Sequence, residues 1–331
     1  MTTSVTPYAN LTPDVVLDAI ESLGLITDGH LLTLNSYENR VYQVGIDEAA
    51  PLIAKFYRPH RWSDAAILEE HQFSQELANH ELPVVPPLRF GGQTLHYFND
   101  YRFALTLRQG GRAPNLEHAA VREWLGRLLG RIHAVGAVTA FTQRPTLNCA
   151  HFGIESRDFL LANQCLPSAL LSTYLNTVSE ALVQIDACYE RAGTVKLIRL
   201  HGDCHLGNVL WADDGPHFVD FDDARQGPAI QDLWMLLAGD REEMRQQLDD
   251  VLAGYEDFCE FNWRELQLIE ALRTLRIIHY AAWLARRWDD PAFPAAFPWF
   301  NTAQFWHDHI LQLQEQITAM AAGALWTTGN D

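Results

Sequence analysis

The sequence predicts an α+β chain of two lobes, a smaller strand-rich lobe followed by a larger, mostly helical one. Three observations carry this. Alternating apolar patterns of the strand type are concentrated before residue 108, helix-periodic patterns dominate from Leu116 onward, and 331 residues is long for a single core. The first flexible break after the strand patterns is Gln109-Gly110-Gly111-Arg112. The expected lobes are therefore residues 1–108 and 109–331.

Thr12-Pro13-Asp14 opens a helix with a hydroxyl N-cap, a proline at the first helical position and an acid in the first turn. Val16, Ile20 and Leu23 then share a face, and Gly24 closes it. Leu31 to Val44 and Pro51 to Tyr57 alternate as strands, with Ser36-Tyr37-Glu38-Asn39 as a hairpin tip and Lys55 inside the apolar run Leu52 to Phe56. Ser63 to His80 reads as a helix with Ile67, Phe73 and Leu77 on one side and Glu69 and Glu70 nearby, ended by Leu82-Pro83-Val84-Val85-Pro86-Pro87. Tyr97 to Leu107 reads as one further strand. Leu116 to Val135, 168 to 192 and most of 229 to 320 read as helix.

Composition narrows the function classes. A formal net charge of −18 disfavours a nucleic-acid partner, because phosphate backbones are bound through counterion release to basic surfaces. A nucleotide is still admitted, since one lysine, a few amides and a divalent cation suffice locally. No apolar run approaches the length of a membrane span, and the first residues lack a basic start and apolar stretch, so a cytoplasmic protein without membrane partner is expected. The five cysteines are odd in number, scattered and without a CxxC pair, which fits reduced thiols, and the 14 histidines show no metal-binding spacing. No structural metal is expected, and the oligomeric state is expected to be a monomer or weak dimer.

The most informative stretch is His201-Gly202-Asp203-Cys204-His205-Leu206-Gly207-Asn208, followed by Asp220 in Phe218-Val219-Asp220-Phe221. This is the layout of a phosphoryl-transfer loop using ATP and Mg²⁺. Such transfer asks mainly for positioning: Asp203 is the candidate general base or hydroxyl-orienting residue, while Asn208 and Asp220 are candidates to supply hard oxygen ligands to the metal bridging the phosphates. Catalytic candidates are thus Asp203 and Asp220, and metal ligands Asn208 and Asp220. Lys55 is the candidate partner of the α- and β-phosphates, with Glu70, or its neighbour Glu69, holding its ammonium. Asp232 is expected to brace the loop through the backbone of His201 and Gly202. Cys204, beside a carboxylate, is expected to be inert. Asp222 and Asp223 are candidates to attract a basic substrate, help hold metal, or pair with Arg225.

These residues resemble the aminoglycoside phosphotransferase and choline-kinase-like branch of the protein-kinase fold, whose H-G-D-x-x-x-x-N loop has Gly202 where most protein kinases carry Arg. A closer resemblance is to the bacterial stress response kinase A family of Ser/Thr protein kinases. It is carried by Leu34-Asn35-Ser36-Tyr37-Glu38-Asn39-Arg40-Val41-Tyr42, Lys55-Phe56-Tyr57-Arg58-Pro59, Phe221-Asp222-Asp223-Ala224-Arg225 and Asp232-Leu233-Trp234-Met235-Leu236-Leu237. It continues in Asp290-Pro291-Ala292-Phe293-Pro294 and Phe297-Pro298-Trp299. The resemblance implies that Ser36 contacts ATP phosphate, and that the γ-phosphate goes to Ser or Thr hydroxyls of proteins, the kinase included, in a stress response. The hairpin lacks the G-x-G-x-x-G glycines of ordinary protein kinases. Only eleven residues separate Asp220 from Asp232, little room for a phosphorylated activation loop. Two rival readings stand beside this one: a small-molecule kinase acting on an aminoglycoside, choline or homoserine-like alcohol, and a silent binding protein on a kinase scaffold. The second is disfavoured by the presence of Lys55, Asp203, Asn208 and Asp220.

Overall fold

The computed structural model describes residues 7–324. In chain order the elements are α1 (Pro13–Glu21), β1 (Thr27–Leu34), β2 (Arg40–Ile46), β3 (Ala49–Phe56), α2 (Asp64–Asn79), β4 (His96–Phe98) and β5 (Tyr101–Leu107). Then come α3 (Ala119–Gly136), α4 (Glu155–Ala162), α5 (Leu171–Ala192), β6 (Ile198–Leu200), β7 (Val209–Ala212), β8 (Gly215–Phe218) and β9 (Arg225–Gly227). The chain finishes with α6 (Ile230–Trp234), α7 (Arg241–Tyr255), α8 (Ile269–Arg286), α9 (Ala292–Ala296) and α10 (Ala303–Ala321). The class is α+β, with the strands of the one large sheet early and the helices late. Two compact units form: one holds the chain up to Asn115 with Phe141–Arg144 and His205–Ala224, the other Leu116–Ala140, Pro145–Cys204 and the chain from Arg225. The units thus exchange segments along the sequence.

The first unit is built on an antiparallel sheet of order β1-β2-β3-β5-β4. The strand period of two sends Leu52, Ala54 and Phe56 into a core shared with Val16, Ala19 and Ile20 of α1 and with Val44, Phe103 and Leu105. Lys55 and its β5 partner Ala104 consequently face the other side, where Tyr57, Ala104 and Ile67 of α2 pack together. Helix α2 is started by Ser63, whose hydroxyl accepts the Ala66 N–H at 3.1 Å.

Two local readings are corrected. Tyr97 to Leu107 is a hairpin rather than one strand: Phe98 pairs with Tyr101, and Asn99 takes a left-handed φ of 51° in the two-residue turn. The Gly110-Gly111 break is tied down, because Arg112 and Trp211 exchange backbone hydrogen bonds of 3.1 and 2.7 Å. A side chain on Gly111 would meet Leu210 Cβ at 2.9 Å, so the close approach needs glycine.

In the second unit α3 and α7 pack backbone to backbone. A Cβ on Gly126 would lie 1.9 Å from the Val251 carbonyl oxygen and one on Gly254 2.0 Å from that of Glu123, so glycines on both helices permit the contact. Helices α5, α8 and α10 pack around Tyr174, Leu182, Leu275 and Trp306, all buried. No described helix is long and apolar enough to cross a membrane.

Candidate active site

The residues expected from sequence to serve the phosphates and the metal lie in the first unit. Lys55 Nζ donates to Asp220 Oδ1 at 2.6 Å, with the lysine side chain 18% exposed and the aspartate 49%. Burial pushes the ammonium toward neutrality, but Asp220 first, then Asp222, Tyr57 and Glu70, outweigh it and hold the pKa above its ordinary value. Lys55 is a fixed cation. Asp220 follows β8 and takes a left-handed backbone conformation (φ 60°, ψ 64°), a costly state for a residue other than glycine and one that clusters at functional sites.

Asn208 reaches the same place through backbone pairing. In the β7–β8 hairpin Val209 pairs with Phe218, and one step further the Val219 N–H donates to the Asn208 carbonyl at 3.0 Å. That register sets the Asn208 amide at the hairpin end from which Asp220 leaves. Both are hard oxygen donors, and Asp222 Oδ1, two residues on, is a buried oxygen without a hydrogen-bond partner. Among the described residues no three His, Cys, Asp or Glu side chains converge as a closed metal site. The donor set fits a hard divalent cation that would draw its remaining ligands from phosphate and water.

Ser36 lies in the connection between β1 and β2, half-buried. That connection is anchored by a buried network. Asn39 Nδ2 donates to Asp222 Oδ2 at 3.0 Å, and Asn39 Oδ1 accepts the Arg58 N–H at 3.1 Å. Arg61 bonds Asp222 and, at 2.8 Å, Asp223. Arg144 donates to the Asp222 carbonyl at 2.9 Å. Burial pushes the Asp222 carboxyl up, but Arg61 foremost, with Lys55 and Arg144, outweighs it and holds it below the carboxylate range. The carboxylate of Asp222 is thus paired with Arg61; Arg225, the partner considered from sequence, stacks on Phe152 in the other unit.

The two candidate glutamates separate. Glu69 accepts hydrogen bonds of 2.6 to 3.0 Å from the backbone of Thr142, Gln143 and Arg144 and from the Thr142 hydroxyl, so its carboxylate is committed to that turn. Glu70 is buried in α2, and its carboxylate lies 3.7 Å from Nε2 of His71, an imidazole that burial keeps neutral. No hydrogen bond or ion pair joins it to Lys55 among the described residues, since the ammonium is turned onto Asp220. Burial pushes Glu70 up to about 7, with Lys55 and Arg144 pulling the other way. Its contribution to Lys55 here is a field rather than a contact.

Asp203 lies in the second unit, at the end of a loop braced from α6. The fully buried Asp232 accepts the His201 N–H and the Gly202 N–H, each at 2.9 Å, as the sequence led one to expect, and also His133 Nε2 at 3.1 Å. A carboxylate only accepts, so His133 Nε2 carries the proton. Its Nδ1 meets the Tyr255 hydroxyl at 3.0 Å. Gly202 adopts φ 83°, which turns the chain and presents Asp203 half-buried at the surface of this unit. Cys204 is fully buried, and burial with the charges of Asp232 and Asp203 pushes its thiol well above the ordinary value, a thiol unreactive at neutral pH.

The chain matches the model of the phosphotransferase enzyme family over residues 30–269. It is 45% identical over 306 residues, 92% of each chain, to "Stress response kinase A" of Escherichia coli O157:H7. The chain belongs to the stress response kinase A family. It is a phosphotransferase, a kinase by family. It is also 44% identical over 309 residues, 93% of each chain, to "Serine/threonine protein kinase RdoA" of Salmonella typhimurium. Its fold is shared with the solved "Amicoumacin kinase hAmiN in complex with AMP-PNP, Ca2+ and Ami", at a TM-score of 0.71, 18% identity and 94% coverage of both chains.

Sequence reasoning missed Arg61, Arg144 and His133. Arg61 and Arg144 stand 161 and 78 residues from Asp222, and His133 stands 99 residues from Asp232. The only available signal was Arg61 in the basic turn after β3, a weak one.

Proposed function

We propose that this chain is an ATP- and Mg²⁺-dependent serine/threonine protein kinase of a bacterial stress response, cytoplasmic and a monomer or weak dimer, that phosphorylates protein hydroxyls including its own. Residues 1–108 act as the nucleotide lobe and 109–331 as the acceptor lobe. Ser36 and Lys55 bind ATP phosphates, Glu70 supports Lys55, Asn208 and Asp220 hold Mg²⁺, and Asp203 orients the acceptor hydroxyl and takes its proton. An ion held by Asn208 and Asp220 would supply positive charge against the phosphate oxygens.

The observation that carries this reading is the convergence of Lys55, Asn208 and Asp220 through one 2.6 Å ion pair and one hairpin register. A cation for phosphate and two oxygen donors for metal are what positioning an ATP phosphate requires. The protein acceptor is favoured by the names of relatives at 44 and 45% identity over nearly the whole chain.

The test is incubation of wild-type and Asp203→Ala protein with Mg²⁺ and γ-labelled ATP. One arm contains a generic basic protein and the other a panel of amino-alcohols and aminoglycosides. Label on protein, absent from the variant, is expected. Label on small molecules alone would replace the protein acceptor with a small alcohol, and no label in either arm would leave a binding scaffold.

A further inference from the structure

Arg276 of helix α8 reaches the Asp203 carboxylate. Its Nη1 donates to Asp203 Oδ1 at 2.6 Å, across 73 residues of sequence. Both belong to the second unit.

Helix α8 explains why this arginine is spare. Leu272, Leu275, Ile278 and Ala282 are buried on its inner side. Arg273, one turn back, is committed to Glu270 by two bonds of 3.1 Å and lies over the Trp234 ring. Arg276 points outward with 44% of its side chain exposed, while Asp203 is 23% exposed. An exposed ion pair adds little to stability, so its effect is to be sought in what it does to the carboxylate.

We propose that Arg276 is a positioning and selectivity residue for phosphoryl transfer, an inference that rests on Asp203 being the hydroxyl-orienting carboxylate. By holding Oδ1 it sets the rotation of the carboxylate plane, and so the direction from which an acceptor hydroxyl can be received. By placing a permanent cation beside that carboxylate it also disfavours acceptors that bring an ammonium group to the same spot, because like charges there repel and Oδ1 is already engaged. The acceptor class it selects is a neutral hydroxyl, as on a Ser or Thr side chain, over a cationic amino-alcohol or aminoglycoside. Two opposite demands meet here: Asp203 alone would attract cationic alcohols, and Arg276 cancels that attraction without removing the carboxylate.

The test compares wild type, Arg276→Gln, Arg276→Lys and Asp203→Asn in steady-state phosphorylation of a protein acceptor, with thermal unfolding as a folding control and kanamycin and ethanolamine as added competitors. Arg276→Gln should lower kcat roughly ten- to a hundredfold, the scale of a misplaced reacting group. Its KM for ATP should stay within about twofold, and Arg276→Lys should recover most of the loss by restoring a cationic donor. Inhibition by kanamycin should strengthen in Arg276→Gln alone. If Asp203→Asn retains transfer, the reading of the site itself falls. If Asp203→Asn is inactive while Arg276→Gln keeps wild-type kcat, or Lys rescues nothing, the positioning role is overturned. Unchanged kanamycin inhibition overturns the selectivity role.

Discussion

Asp232→Asn isolates the brace under the catalytic loop. The wild-type carboxylate is wholly inaccessible and receives two backbone N–H groups at 2.9 Å and His133 Nε2 at 3.1 Å. The amide keeps the shape but replaces one acceptor oxygen by an NH₂ group, which must face either the His201 or the Gly202 N–H. A buried donor left without acceptor costs about 1–3 kcal/mol, and loss of the charge-assisted bonds adds to this. The expected loss is ~2–4 kcal/mol, a large share of the ~5–15 kcal/mol typical of whole proteins. Urea unfolding followed by tryptophan fluorescence reads it. Because these bonds hold Gly202 at its left-handed φ and thereby set Asp203, kcat should fall on the order of a hundredfold. ATP affinity should hold, since Lys55, Asn208 and Asp220 are positioned in the other unit. A variant within ~0.5 kcal/mol of wild type and with unaltered kcat would refute the brace.

Three further outcomes follow from the same geometry. Asp222→Asn removes the charge that neutralises Arg61 and weakens the tether to Asn39, so stability should drop by about 3 kcal/mol and the KM for ATP should rise several-fold; unchanged values in both would contradict the anchoring role. Gly126→Ala forces a methyl group into the Val251 carbonyl at 1.9 Å, and equilibrium unfolding should show a loss of at least ~2 kcal/mol, whereas a loss below ~0.5 kcal/mol would mean α3 and α7 are not in backbone contact. Glu265, buried and accepting the Ile230 N–H at 3.0 Å, is pushed by burial from 4.5 up to about 7. Its folded-state pKa is raised, so its contribution is complete below about pH 4.5 and is lost as pH climbs through 7, on the order of 3 kcal/mol. Glu265→Gln should flatten the stability profile across that window, and an unchanged slope would place the carboxyl in water.

The parts of the site legible in the sequence are those whose chemistry is local. His201 to Asn208 and Asp220 announce themselves because the loop and the hairpin that closes it lie within twenty residues, and Lys55 stands out as the one charge inside the apolar strand Leu52 to Phe56. The Asp232 brace was expected of a carboxylate at a helix start, although its bonds to the loop span 30 and 31 residues. Arg61 with Asp222 and Arg276 with Asp203 could not be foreseen, since each pair is brought together by tertiary packing across 161 and 73 residues and an arginine on a helix or turn carries no mark of its partner. The choice between Glu69 and Glu70 was equally closed to sequence, because neighbouring helix positions differ by roughly 100° and only the packed turn at Thr142 shows which carboxylate is spoken for. The Asn99-Asp100 turn was visible in composition, yet the apolar residues on either side masked it as one strand.

The most direct test of the central claim separates chemistry from binding. Single-turnover transfer from γ-labelled ATP to a protein acceptor, with the MgATP dissociation constant measured by calorimetry on the same preparations, should be compared for wild type and Asp203→Asn. The account predicts transfer slowed by about a thousandfold or more with MgATP affinity within a few-fold of wild type, because Asp203 serves the acceptor hydroxyl and not the nucleotide. Transfer at the wild-type rate in the variant would contradict the account.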